Sequence, residues 1–172
     1  MGLSCPYFQI GIKLPAITKE DWQKTRIAMG FLLELLAGES STFFQQAYER
    51  ELLDEPLGSA FFCGEGYAFA ALSGNGTHPE ETAELMMAEW KRLQKSGLQK
   101  EDFVRIRKKM LGRFLRRLDS PVSLCMGQVE WAMMDATAAE IMGWIKALPV
   151  AEAEKLLQKA LLTDTMVLSV VR

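Results

Sequence analysis

Residues 59–76 read SAFFCGEGYAFAALSGNG, and this stretch decides the fold. Two aromatic-rich runs, residues 59–63 and 67–72, flank a Gly-Glu-Gly turn at residues 64–66. Aromatic side chains favour strands, and glycine supplies the backbone conformations that a tight turn requires. The segment therefore predicts a β-hairpin, which the glycine-rich residues 73–76 end.

Working outward from the hairpin, the chain carries two more strand patterns and a series of helix patterns. Residues 7–14 (YFQIGIKL) alternate apolar and polar side chains as a half-buried strand does, and residues 165–171 (TMVLSVV) predict a final strand. Helical spacing of apolar residues predicts helices over residues 20–37, 41–53, 79–96, 100–118, 121–134, 137–147 and 151–161. Strands and helices do not alternate as in a doubly wound fold. We therefore predict a single α+β domain over residues 1–172, with a largely antiparallel four-stranded sheet and helices packed on one face.

Three helix starts carry capping signals. Thr77 with Glu80 and Thr137 with Glu140 have the spacing of a capping box. Ser120 precedes a proline at the first position of the next helix, which is a favoured helix start.

Composition excludes several classes of protein. The chain has 49% hydrophobic and 24% charged residues and a net charge of −2, so its overall charge indicates neither a nucleic-acid nor a membrane partner. Its longest apolar stretch, residues 60–73, is interrupted by glycines and a glutamate and is too short to span a bilayer. The three cysteines, Cys5, Cys63 and Cys125, are widely spaced and odd in number, which favours a reducing compartment. We expect a cytoplasmic protein.

A single histidine limits the catalytic chemistry. His78 lies in the sequence HPEET, which is one histidine short of the zinc-binding pattern H-x-x-E-H because Thr82 stands at the last position. Zinc in such a site needs both imidazoles on one helical face. We therefore expect His78 to be an exposed residue at a helix start, and we assign no catalytic residue, metal ligand or cofactor to this chain.

The most pronounced charge feature is a basic helix over residues 100–118. Between positions 91 and 117 the chain has eleven lysines and arginines and only two acids. Arg105, Lys109 and Arg113 fall on one stripe of the predicted helix. Such a stripe could bind phosphates, but it is more often a solvated face balanced by acidic neighbours. No aromatic residue interrupts the basic face, which argues against binding to single-stranded nucleic acid.

Two long stretches carry a resemblance to a known family. FLLELLAGESSTFFQQAYERELLDEPLGSAFFCGEGYAFAALSGNGTHPEETAELM (residues 31–86) and EDFVRIRKKMLGRFLRRLDSPVSLC (residues 101–125) resemble the C-terminal domain of insulinase/pitrilysin-type zinc metallopeptidases. SCPYFQIGIKLP (residues 4–15) and LTDTMVLSVVR (residues 162–172) resemble the first and last strands of that domain. The resemblance covers nearly the whole chain and implies an antiparallel sheet under helices, as in processing-peptidase subunits.

The resemblance also implies partners. In that family zinc is held by an N-terminal domain through H-x-x-E-H and a later glutamate, and two halves close around a peptide. The opposite half supplies an arginine and a tyrosine to the active site. Our matching places Tyr48 and Glu55 of this chain at those positions, so neither residue type is present and that role is not transferred. Tyr48, Glu55, Arg105, Lys109 and Arg113 are retained only as candidate contacts to substrate or partner.

Three functions follow as expectations. The first is an accessory, non-metal-binding domain of a zinc metalloendopeptidase, whose partners are an N-terminal zinc domain, a second peptidase-like half and a peptide substrate. The second is a catalytically inactive structural or assembly subunit of the same fold. The third, which we favour least, is nucleic-acid binding through the basic helix 100–118. A zinc motif in the preceding coding sequence would separate the first from the second.

Overall fold

The computed structural model describes residues 5–133, 135–159 and 166–172. The helix ends expected at 134 and 161 and the strand start expected at 165 lie outside these residues. The strands are β1 (Tyr7–Leu14), β2 (Gly58–Gly64), β3 (Tyr67–Asn75) and β4 (Met166–Val171). The helices are a short 3₁₀ turn (Lys19–Asp21), α1 (Trp22–Ala37), α2 (Thr42–Glu49), α3 (Pro79–Ser96), α4 (Lys100–Asp119), α5 (Pro121–Ala132), α6 (Ala138–Ala147) and α7 (Val150–Lys159).

The four strands form one sheet in the order β2-β3-β1-β4, and every neighbouring pair is antiparallel. The predicted hairpin is β2 and β3, which pair from Gly58 opposite Ser73 to Gly64 opposite Tyr67. β1 lies in the middle of the sheet between β3 and β4, although it comes first in the chain. The α+β fold that the sequence predicts, with an antiparallel four-stranded sheet, is confirmed.

One face of the sheet is covered by helices. The alternation predicted for β1 is observed, because Phe8, Ile10, Ile12 and Leu14 are buried towards the helices. The apolar helix α1 crosses this face, and Phe31 stacks on Phe103 of α4 with ring centroids 4.7 Å apart. The segment Lys19–Glu49, which contains α1 and α2, is long and apolar enough to cross a membrane by composition alone, yet 61% of its most apolar window is buried in this core.

In β3 the small side chains are buried and the large ones are exposed, which is the opposite of the usual arrangement. Its small residues Ala68 and Ala70 face the helices and are buried, whereas Tyr67 and Phe69 are exposed on the opposite face. Small side chains let helices lie close to the sheet, and the aromatic residues are left on the uncovered side. The uncovered side, which we call the open face, is therefore richer in large apolar side chains than the strand pattern alone would suggest.

Two predicted details differ from the structure. The second helix ends at Glu49 rather than at residue 53, because Glu51 has a left-handed backbone (φ 57°) and Leu52 N–H donates to Ala47 O at 2.9 Å. The helix α3 has no capping box at Thr77, whose hydroxyl instead donates to Glu51 O at 3.2 Å. The N-cap of α3 is His78, and its side chain makes no capping hydrogen bond.

The other two helix starts agree with the sequence. Thr137 and Glu140 form a reciprocal capping box at α6. Ser120 Oγ accepts a hydrogen bond from Ser123 N–H at the start of α5.

Candidate functional site

The open face carries most of the exposed apolar surface of the sheet. Phe62 and Phe69 face each other across β2 and β3 with their rings stacked at 5.0 Å, and Tyr67 lies 6.2 Å from Phe69. These three side chains are 45%, 39% and 51% exposed. Contiguous exposed apolar side chains of this kind mark interaction surfaces in soluble proteins.

A row of small residues crosses the strands beside this aromatic cluster. Ala60, Ala71 and Gly11 lie in one cross-strand row, and their small size lowers the surface there. The next row along the strands is polar, with Ser73 opposite Gln9. The open face thus combines an aromatic cluster, a row of small residues and a polar row.

The free edge of β2 adjoins the aromatic cluster. β2 is the first strand in the sheet order, and among the described strands it pairs only with β3. Its sequence, GSAFFCG, contains neither a charged residue nor proline, the two devices that commonly block strand addition. The free edge of β2 therefore has neither of these obstacles to strand addition.

The predicted basic stripe lies on α4 against the end of α1. Lys109 Nζ and Arg113 Nη1 both contact Glu34, at 2.5 Å and 2.6 Å. Arg105 donates to Asp102 at 3.0 Å and to the Ser40 hydroxyl. The structure thus brings the three predicted cations together, but each already has an acidic partner, as the solvated-face interpretation expects. These acidic partners already pair with the lysine and arginine groups that would contact phosphates. The geometry therefore gives no support to nucleic-acid binding here.

Glu34 is the centre of this cluster. Its side chain is only 10% exposed. Burial raises the pKa of the Glu34 carboxyl, but hydrogen bonds from Lys109 and Arg113 and their positive charges outweigh burial, so the pKa is held below its ordinary value. Gly38, one helical turn after Glu34, leaves room for this carboxylate. A Cβ on Gly38 would clash with the carbonyl oxygen and the carboxylate of Glu34. A cleft of about 330 Å³ opens beside the cluster.

Tyr48 and Glu55 lie apart from the basic cluster. Tyr48 is on α2, is 60% exposed, and its ring lies 6.1 Å from that of Phe44. Glu55 is exposed in the loop between α2 and β2. Their contact with substrate or partner stays a prediction.

The HPEET segment does not fit a zinc ion. His78 is exposed at the start of α3, and its Nδ1 lies 2.9 Å from the Thr77 hydroxyl. Thr82, at the position of the second imidazole, is buried, and its hydroxyl donates to His78 O. In the described part of the chain, no group of three or more histidine, cysteine, aspartate or glutamate side chains is placed to hold a metal.

A cavity of about 530 Å³ lies elsewhere, between the end of β1, the start of α1 and the helices α6 and α7. Its lining is mainly apolar, and Lys155 at its rim pairs with Glu152 at 3.2 Å. None of the predicted site residues lines it. This mainly apolar lining does not resemble an acid–base site.

Sequence reasoning missed the aromatic cluster of the open face. The alternation of residues 67–72 (YAFAAL) was visible, with aromatic residues on one side of the strand and alanines on the other. Hydrophobicity alone assigns the aromatic side to the core. Only the position of α1 shows that the alanine side is the covered one.

Comparison with known proteins agrees with the fold and with the sequence resemblance. Residues 4–110 match the family described as the peptidase M16 inactive domain. A curated relative described as the uncharacterized zinc protease YmfH of Bacillus subtilis (strain 168) is 25% identical over 170 residues, which are 96% of this chain and 39% of that protein.

Solved structures show the same fold. A protein from Alicyclobacillus acidocaldarius, described as an M16-like peptidase, superposes with a TM-score of 0.88 at 25% identity, over 99% of this chain and 41% of that one. A protease from Helicobacter pylori superposes with a TM-score of 0.79 at 13% identity, over 99% and 42% of the two chains. This chain spans about two fifths of the length of these relatives. The chain belongs to the M16 peptidase family, as a member of its inactive domain.

Proposed function

We propose that this chain is the accessory, non-metal-binding domain of a zinc-dependent metalloendopeptidase, and that its open face forms part of a peptide-binding chamber. Zinc and the catalytic glutamate are contributed by a companion N-terminal domain, and a second peptidase-like half closes the chamber. Family membership supports the accessory role. The single histidine supports the absence of a zinc site in this chain. A cytoplasmic location stays a prediction from the cysteine pattern.

The observation that carries the peptide-holding role is the exposed aromatic cluster beside the uncharged edge of β2. Phe62, Phe69 and Tyr67 are stacked or tilted against one another and still keep two fifths to half of their surface exposed. An extended peptide would gain backbone hydrogen bonds from β2 and would cover these rings. The role needs no specific sequence, which suits a chamber that accepts varied peptides.

A binding titration tests the role. A fluorescein-labelled extended peptide of alternating leucine and serine is titrated with the chain, and anisotropy is measured. Covering the two half-exposed rings contributes about 1 kcal/mol each, so Phe62→Ser together with Phe69→Ser should weaken binding about thirtyfold. Leu115→Ser, an equally exposed apolar position on α4, is the matched control and should leave the affinity unchanged.

Three outcomes decide against the proposal. The first is undetectable peptide binding by the unmodified chain, which would favour the assembly subunit. The second is equal weakening by Leu115→Ser. The third is hydrolysis of the peptide by the purified chain with added zinc, because the proposal assigns no catalytic group to these residues. Circular dichroism of each variant shows whether the fold is retained.

A further inference from the structure

The only asparagine of the chain is Asn75, and it stands directly before Gly76. Asparagine is among the thermolabile side chains of proteins. In an Asn-Gly pair the backbone nitrogen of the glycine can attack Cγ of the asparagine, because glycine has no Cβ to hinder the approach. The new C–N bond closes a succinimide ring, and the amide nitrogen of the side chain leaves as ammonia. Water then opens the ring at either carbonyl, which gives aspartate or isoaspartate.

The end of β3 holds this pair in the folded chain. Asn75 lies opposite Tyr7 of β1 and is exposed on the open face, whereas Gly76 is buried. Gly76 N–H donates to Pro6 O at 3.1 Å. Pro6 returns no hydrogen bond, because proline has no N–H. The nitrogen that would attack Asn75 is therefore held by a hydrogen bond to the residue that precedes β1.

The carbonyl oxygen of Pro6 occupies the place that ring closure needs. In the succinimide, Cγ of Asn75 replaces the hydrogen on the Gly76 nitrogen. A carbon bonded along the line of this hydrogen bond, at a C–N length of about 1.4 Å, would lie less than about 2 Å from Pro6 O. That separation is far shorter than van der Waals contact. Ring closure therefore requires the start of β1 to move away from the end of β3.

The surroundings of Gly76 resist this separation. Phe8, the second residue of β1, is fully buried, and a Cβ on Gly76 would meet its ring and Leu52 O. All eight residues of β1 pair with β3. An opening that frees the Gly76 nitrogen must therefore disturb packing as well as a hydrogen bond. Such openings are rarer than the fraying of a loosely packed end.

We propose that Asn75 is a modification site gated by the pairing of β1 with β3. It converts to aspartate and isoaspartate when this pairing opens, and it is protected while the pairing is closed. Isoaspartate routes the main chain through the former side-chain carbonyl, which adds one backbone carbon before Gly76. The Gly76 N–H then no longer meets Pro6 O in the same register, so the isoaspartate form opposes reclosure. The proposal does not depend on the peptide-holding role.

Mass spectrometry of the full chain tests the proposal. The chain and a synthetic peptide of residues 71–79 (ALSGNGTHP) are incubated at neutral pH, both in buffer and in guanidinium chloride. The readout is replacement of NH2 by OH at residue 75, with the two products separated by chromatography of the digest. The folded chain should convert at least about a hundredfold more slowly than the peptide, because the open form is rare. The denatured chain should convert as fast as the peptide. Asn75→Gln is the matched control, and it should show no conversion over the same period because glutamine must close a larger ring.

Amide hydrogen exchange at Gly76 gives a second readout. The same opening exposes this N–H to water, so its exchange should be slowed by a similar factor relative to the peptide. Conversion of the folded chain at the rate of the peptide would overturn the gating. Absence of conversion in both the peptide and the denatured chain would overturn the site itself. Slow conversion with unprotected exchange at Gly76 would also contradict the proposal, because the strand pairing would then not be what protects Asn75.

Discussion

Replacing Glu34 with glutamine should destabilise the folded chain by about 2 kcal/mol at pH 7. The carboxylate is nearly buried and receives hydrogen bonds from Lys109 and Arg113 at 2.5 Å and 2.6 Å. Glutamine keeps the shape and one acceptor oxygen, but it removes the charge that both cations face. The expected loss exceeds that of a surface ion pair because Glu34 is shielded. It stays below the full loss of a buried pair because Arg113 is 55% exposed.

Thermal unfolding followed by circular dichroism measures this loss. For a chain of this length, about 2 kcal/mol corresponds to a fall in Tm of about 4–8 °C. Glu39→Gln is the matched control, since Glu39 borders the same cleft and is exposed, and it should change Tm little. If the two variants lower Tm equally, the ion cluster does not stabilise the junction between α1 and α4.

The pH dependence gives an independent check. The folded-state pKa of Glu34 lies below its ordinary value of 4.5. Its carboxylate therefore stabilises the fold above that value, and the contribution is lost as pH falls through the lowered folded-state pKa. The stability gap between the unmodified chain and Glu34→Gln should be constant near neutral pH and should narrow below about pH 4.5. A gap of constant size throughout the acidic range would contradict the assignment.

Three smaller predictions follow from local geometry, each measured as a change in the free energy of unfolding in urea. Ser41→Ala should cost about 1 kcal/mol, because the buried Ser41 hydroxyl caps α2 by accepting from Phe44 N–H at 3.0 Å; an unchanged midpoint would show that the cap is redundant. Gly97→Ala should cost about 1 kcal/mol, because Gly97 ends α3 at φ 74°, and a stabilised variant would contradict the left-handed end. Ala70→Leu should cost about 1–3 kcal/mol, because Ala70 is fully buried under the helices; Ala60→Leu, on the exposed face of β2, is its control and should cost far less.

The secondary structure was predictable because its signals are local. Residues 7–14 show the alternation of β1, residues 64–66 show the hairpin turn, and Thr137 with Glu140 show a helix start, and each works through neighbours in the chain. The predicted end of the second helix was wrong for a non-local reason. Leu52 and Leu53 continue the apolar pattern, but they are buried beneath other elements, so the chain turns at Glu51 to place them there.

The candidate sites depended more on tertiary structure. The sequence identified Arg105, Lys109 and Arg113 as one stripe, but it could not show that Glu34, on a different helix, is the partner of two of them. In α5 the sequence likewise does not show which apolar side chains are buried, because Trp131 is buried whereas Val122 and Met126 are exposed.

What the sequence alone determined is the order and type of the elements, the family resemblance and the shortage of metal ligands, because each depends on residue identity and short-range spacing. What only the tertiary structure decided is which face of each element is covered. Alternation in a strand does not show which of its two faces is covered by helices. In β3 the alanines are covered, and the larger Tyr67 and Phe69 are exposed. The physical reason is that the space beneath the helices is set by the whole core, and it accepts only small side chains at Ala68 and Ala70 although β1 places larger ones on the same face. The large side chains that remain outside form the surface on which the proposed function depends.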